Sequence, residues 1–111
     1  MNVSSLVESL GLVLHNEGDG KRPVSRGVVG DLLSFVMGGA PEGSVWVTLQ
    51  THVNLAAVAV LKEIPLVILA SGRIPDQELV ERCRKENITL ATAAQSPFDV
   101  CGALHDLGLK G

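Results

Sequence analysis

Residues 45–70 read VWVTLQTHVNLAAVAVLKEIPLVILA, and this stretch decides the fold. Val45-Trp46-Val47-Thr48-Leu49 reads as a strand, followed by a helix from about His52 to Lys62. Pro65 to Ala70 (PLVILA) is a continuous apolar run, the pattern of a strand buried on both faces.

Downstream the alternation continues, with a helix over Asp76–Glu86, a short strand near Thr89–Ala93 and a last helix from about Pro97 to Leu107. Three successive strand–helix units imply right-handed crossovers and a largely parallel sheet with helices on both faces. Upstream, Val3, Leu6, Val7 and Leu10 fall at helical spacing, so Val3–Leu10 is expected to be a helix that Gly11 ends. Leu12-Val13-Leu14 follows as a short strand. Asn16–Pro23 (NEGDGKRP) is the one clear loop, and Val24–Val29 a second strand. Asp31 is placed to cap a short helix, Leu32–Met37, stopped by Gly38-Gly39. Antiparallel pairing of the first strands would make the sheet mixed. The reading is an α/β fold: one three-layer domain over residues 1–111, with a mostly parallel, mixed sheet flanked by helices.

Composition fits that reading. The chain has 111 residues, 46% hydrophobic and 19% charged, a globular balance. A domain of this size buries about two-thirds of its unfolded surface and needs no staples. Nine Lys+Arg against twelve Asp+Glu give a formal charge of −3, which argues against nucleic acid or an anionic membrane as a partner. The start, MNVSSLVESLG, lacks the features of a signal peptide, and no apolar run reaches the ~20 residues of a membrane span. A cytoplasmic location is expected. Cys83 and Cys101 fall on apolar helix faces and read as small core hydrophobes with free thiols. His15, His52 and His105 share no ligand spacing, so neither a metal nor a cofactor is expected.

Chemistry concentrates at the strand–helix junctions, because ligands of open α/β sheets sit beyond the carboxyl ends of the strands. In Gln50-Thr51-His52-Val53-Asn54, Thr51 is placed to cap the following helix, leaving His52 and Asn54 as hydrogen-bonding groups beside free helix N–H groups. In Ser71-Gly72-Arg73-Ile74-Pro75-Asp76, Gly72 permits a positive φ, and Arg73 offers a guanidinium for an anion near the same edge. Thr51, His52, Asn54, Gly72 and Arg73 are therefore the candidate ligand-binding residues. The competing reading makes them a cap, first-turn polar residues and a surface arginine over a well-made turn. Gln95-Ser96-Pro97-Phe98-Asp99 fits a capping box and reads as structural. Asp19-Gly20-Lys21-Arg22 lacks P-loop spacing and reads as solvated loop charge, with an anion or partner contact as the alternative. The helix from His52 to Lys62 is apolar almost all round, which requires either complete burial or a second subunit; a homodimer is the preferred reading.

Gly30-Asp31-Leu32-Leu33-Ser34-Phe35-Val36-Met37, Trp46–Asn54 and Ala57–Glu63 together resemble a DRTGG domain, with Gly72–Asp76 and Ser96–Val100 fitting the same pattern. The resemblance covers nearly the whole chain, although no contiguous Asp-Arg-Thr-Gly-Gly string is present. It implies a fold similar to the amino-terminal domain of HPr kinase/phosphorylase, whose kinase activity belongs to a P-loop domain absent from this sequence. It implies a dimerisation or regulatory role, as beside CBS domains in regulated pyrophosphatases and in some phosphate acetyltransferases. It also implies a partner enzyme of the electron-transfer or hydrogenase type, since stand-alone members accompany such subunits. The expected function is a non-catalytic regulatory or assembly module that senses a small anionic or nucleotide ligand. The alternatives are a purely structural adaptor, or an enzyme on a phosphorylated metabolite using His52.

Overall fold

The strands Ser44–Thr48 and Leu66–Leu69 are buried at every residue, so both of their faces must be covered. The computed structural model describes residues 1–111. Its elements in chain order are α1 (Val3–Leu10), β1 (Val13–Asn16), β2 (Arg26–Val29), α2 (Leu33–Gly39), β3 (Ser44–Thr48), α3 (Asn54–Leu61), β4 (Leu66–Leu69), α4 (Gln77–Lys85), β5 (Thr89–Thr92) and α5 (Pro97–Asp106). The five strands form one sheet in the order β1-β5-β4-β3-β2. β2, β3, β4 and β5 are parallel neighbours, and β1 runs antiparallel to β5. The sheet is thus mixed, as expected. The antiparallel partner of the first strand is β5, not β2, which lies at the opposite edge.

Alternation along the strands divides the core. Val45, Val47, Leu66 and Ile68 point to the face covered by α1 and α5, whereas Trp46, Val67 and Leu69 point to the face covered by α2, α3 and α4. Trp46 is fully buried, and its indole N–H donates to the Gly30 carbonyl at 2.9 Å. No helix is long and apolar enough to cross a membrane.

Three helix starts and stops differ from the local sequence signals. The carboxylate of Asp31 does not cap α2, whose N-cap position is Leu32 with no side-chain hydrogen bond. Instead Asp31 Oδ1 accepts from the buried Thr48 hydroxyl at 2.9 Å and from the Leu49 N–H at 2.7 Å. α2 also runs through Gly38-Gly39, because the Ala40 N–H still reaches the Val36 carbonyl at 2.9 Å and both of these residues are buried. Thr51 does not cap α3, which begins at Asn54 behind an uncapped Val53. α5 starts at its signal, with Ser96 accepting from the Asp99 N–H at 3.2 Å and Pro97 in the first turn, but the return bond from the Asp99 side chain that would complete the expected capping box is not formed. α1 carries a capping box between Asn2 and Ser5 that the apolar spacing did not reveal.

α3 is neither fully enclosed nor bare. Leu55, Ala56, Val58 and Ala59 are buried, while Ala57, Val60 and Leu61 are exposed, Leu61 at 67%. The Asn16–Pro23 loop packs across the chain by close approach. A Cβ at Gly18 would stand 2.6 Å from the Asn87 carbonyl oxygen, so the backbone contact there requires glycine. The same loop supplies the Arg22 and Gly20 carbonyls to the Val3 and Ser4 N–H groups, satisfying open donors at the start of α1.

Two stability changes follow from this geometry. Glu63, just past α3, has φ 53°, and Asn87, just past α4, has φ 58°. Left-handed backbone costs a β-carbon residue about 1–2 kcal/mol, less for asparagine, while added glycine loosens the unfolded chain. Glu63→Gly is therefore expected to stabilise by about 0.5–1 kcal/mol in denaturant unfolding, and Asn87→Gly by less. Asp31→Ala should destabilise by about 1–3 kcal/mol, because it leaves the Thr48 hydroxyl and the Leu49 N–H without their acceptor. Asp31→Asn keeps an acceptor oxygen and should fall between it and the wild type; equal stability of all three proteins would remove Asp31 as the loop anchor.

Candidate functional site

β2, β3, β4 and β5 all deliver their carboxyl ends to one edge of the sheet. The loops there are pinned to one another. Gln50 donates from its side chain to the Asp31 carbonyl at 3.0 Å and from its backbone to Thr48 Oγ1 at 3.1 Å. Together with the Asp31 carboxylate, these bonds fasten the β2–α2 loop to the β3–α3 loop. The β3–α3 loop is joined in turn to the start of α4, where the Asp76 N–H donates to the Thr51 carbonyl at 3.1 Å.

Between these loops lies an open polar depression of about 200 Å³, lined by Asp31, Leu49, Gln50, Thr51, His52 and Arg73. Three of the residues singled out in the sequence, Thr51, His52 and Arg73, meet here. His52 Nδ1 lies 3.3 Å from Asp76 Oδ2, with the side chains 74% and 49% exposed. Asn54 and Gly72 do not line the depression. Asn54 stands exposed at the head of α3, where no side chain caps the helix. Gly72 shapes the loop that carries Arg73. Ser71 and Gly72 have φ 57° and 64°, and their N–H groups donate to the Gln95 and Ala93 carbonyls at 2.7 and 2.8 Å.

Asp31 is the lining residue that local sequence reading placed elsewhere. Its position directly after β2, at the carboxyl edge, was the available signal, and the adjacent helix pattern favoured a cap instead. Its carboxylate changes the character of the site, because the depression joins one guanidinium and one carboxylate. Such a pair suits a ligand with an anionic group and hydrogen-bond donors on the same molecule.

The edge also carries exposed apolar side chains. Phe98 at the start of α5 is 86% exposed, Ile74 in the β4–α4 loop 79%, and Leu32 before α2 is exposed as well. The thiols lie away from the depression. Burial pushes Cys83 up to about 11 and raises Cys101, which holds both in the unreactive thiol form at neutral pH. His52 has a carboxylate partner in Asp76, and no serine, threonine or cysteine nucleophile is bonded to either residue.

No family model matches the chain, and no curated protein matches it. Among solved structures it is similar to the CBS and DRTGG domains of the regulatory region of the pyrophosphatase of Clostridium perfringens, solved in complex with the activator diadenosine tetraphosphate. The TM-score is 0.72 at 19% identity. The match covers 93% of this chain and 45% of the other, so this chain spans less than half of its structural neighbour. The likeness establishes the fold: a five-stranded mixed α/β domain of DRTGG-like architecture.

Proposed function

We propose that residues 1–111 form a single DRTGG-like domain acting as a non-catalytic regulatory or assembly module. In this reading it is a cytoplasmic homodimer that holds a small anionic ligand, of nucleotide type, at the carboxyl edge of its sheet. The observation that carries the reading is the convergence of Arg73, His52 and Asp31 in one depression beside the uncapped start of α3. Arg73 suits a phosphate, and Asp31 suits a ribose hydroxyl or an amino group. Thr51 and Asn54 add hydrogen-bonding groups beside that start, and Gly72 sets the turn that presents Arg73. The nucleotide activator and regulatory setting of the structural neighbour support the same reading.

The mechanism is a population shift. A ligand that binds one arrangement of the module more tightly than another changes how it docks on a partner enzyme. The electron-transfer or hydrogenase-type partner rests on the family resemblance alone. A structural adaptor without ligand is the second reading, favoured by the exposure of Phe98, Ile74 and Leu32 around the same edge.

Thermal unfolding against AMP, ADP, ATP, diadenosine tetraphosphate and inorganic phosphate separates the two. A ligand at about 100 times its Kd adds about 2.7 kcal/mol, a midpoint rise of about ten degrees. At least one nucleotide should produce that rise, and His52→Ala/Arg73→Ala should lose it while keeping the unliganded midpoint. A rise that survives the double substitution would refute this site. No rise with any compound would leave the adaptor reading. Light scattering on the same samples tests the dimer.

A further inference from the structure

A depression of about 340 Å³, larger than the one at the carboxyl edge, lies between α1 and α5. Leu10, Val100, Ala103 and Leu107 give it an apolar wall, and Asp99 and Asp106 stand at its lips. The opposite face of the sheet is covered by three helices, α2, α3 and α4, whereas this face has only α1 and α5 with the groove between them. The charge of this layer is one-sided. α1 and α5 carry Glu8, Asp99 and Asp106 and no lysine or arginine. The whole chain has twelve acidic and nine basic residues, so the residues outside these two helices balance at nine of each sign. The net charge of −3 therefore resides in the helical layer that borders the groove.

We infer that the α1–α5 groove is a docking site for a basic amphipathic helix of a partner protein. Asp99 and Asp106 are seven residues apart, two turns or about 10.5 Å along α5, so both carboxylates lie on one side of the helix, along the α5 border of the groove. A partner helix with Lys or Arg at the same spacing meets both carboxylates, and its apolar residues between them enter against Ala103, Val100 and Leu107. Charge complementarity selects this occupant. A second copy docked on the groove about a two-fold axis would bring the same carboxylates against Asp99 and Asp106, and like charges across an interface are repulsive. The inference is independent of the ligand reading at Arg73, which lies on other loops.

The probe is a fluorescein-labelled leucine–lysine peptide of about 15 residues, patterned as an amphipathic helix, with a leucine–glutamate peptide as control. Fluorescence anisotropy should show saturable binding of the lysine peptide that weakens as salt rises. Asp99→Asn/Asp106→Asn should weaken it by about tenfold or more. Ala103→Arg, at an exposed position that blocks the groove, should abolish binding with the thermal midpoint retained. Glu78→Gln/Glu86→Gln removes equal charge from the α4 side and should leave binding unchanged. Equal weakening by the α4 pair, equal binding of the glutamate peptide, or unchanged binding by Ala103→Arg would each overturn the inference. So would a dimer that Ala103→Arg makes monomeric, since a second copy would then occupy the groove.

Discussion

The constraint on which the rest of the structure depends is the burial of β3 and β4 on both faces. Polar side chains cannot be carried along such strands unless each is bonded, and the three buried polar residues of the chain obey this rule. All three stand at strand ends. Ser44 opens β3 and donates to the Pro41 carbonyl at 2.7 Å. Thr48 closes β3 and donates to Asp31. Thr89 opens β5 and accepts from the Gly18 N–H at 3.1 Å. Each hydroxyl thus fastens a loop to the end of a buried strand. No buried side-chain polar atom lacks a partner, so the interior is closed on its own hydrogen bonds.

The fold was legible because its signal is long and periodic. The strand at residues 45–49, the apolar helix and PLVILA named the layers, and the structure places every expected helix and strand within a few residues of its expected bounds. The failures fall at helix ends, where a short polar side chain has several partners within reach. Asp31 before Leu32 has the local form of a cap, but Thr48 and Leu49 sit on the neighbouring strand and offer it two donors. Thr51 has the same form before α3, yet the helix starts later and Thr51 lines the depression instead. Gly38-Gly39 reads as a stop, but the burial of Val36 and Ala40 carries the helix across it. In each case a tertiary contact, invisible along the chain, outweighs a local preference of about 1 kcal/mol.

The site was half legible for a related reason. The carboxyl-edge rule brought His52 and Arg73 together correctly, since parallel strands must deliver their loops to one edge. The rule gives no side-chain directions, so it could not separate Asn54 and Gly72, which fall outside the depression, from Asp31, which lines it. The α1–α5 groove was not legible at all. Neither helix alone shows a gap, and the charge asymmetry emerges only when two segments nearly ninety residues apart are placed in one layer.

The exposure of the carboxyl-edge residues bears on what the site can do. General acid–base chemistry needs groups held in fixed geometry, and electrostatic stabilisation is strongest where water is excluded. His52 and Asp76 are 74% and 49% exposed, so water screens any attraction between them at 3.3 Å, and the depression that His52 lines is open. A reversible ligand makes a weaker demand. It needs a guanidinium and a carboxylate within one molecule's reach, and it needs them open so that it can leave. The loops that carry Asp31, His52 and Arg73 are rigidly hydrogen-bonded to one another while their side chains remain accessible. That combination of a fixed backbone frame and solvent-facing side chains suits recognition rather than turnover.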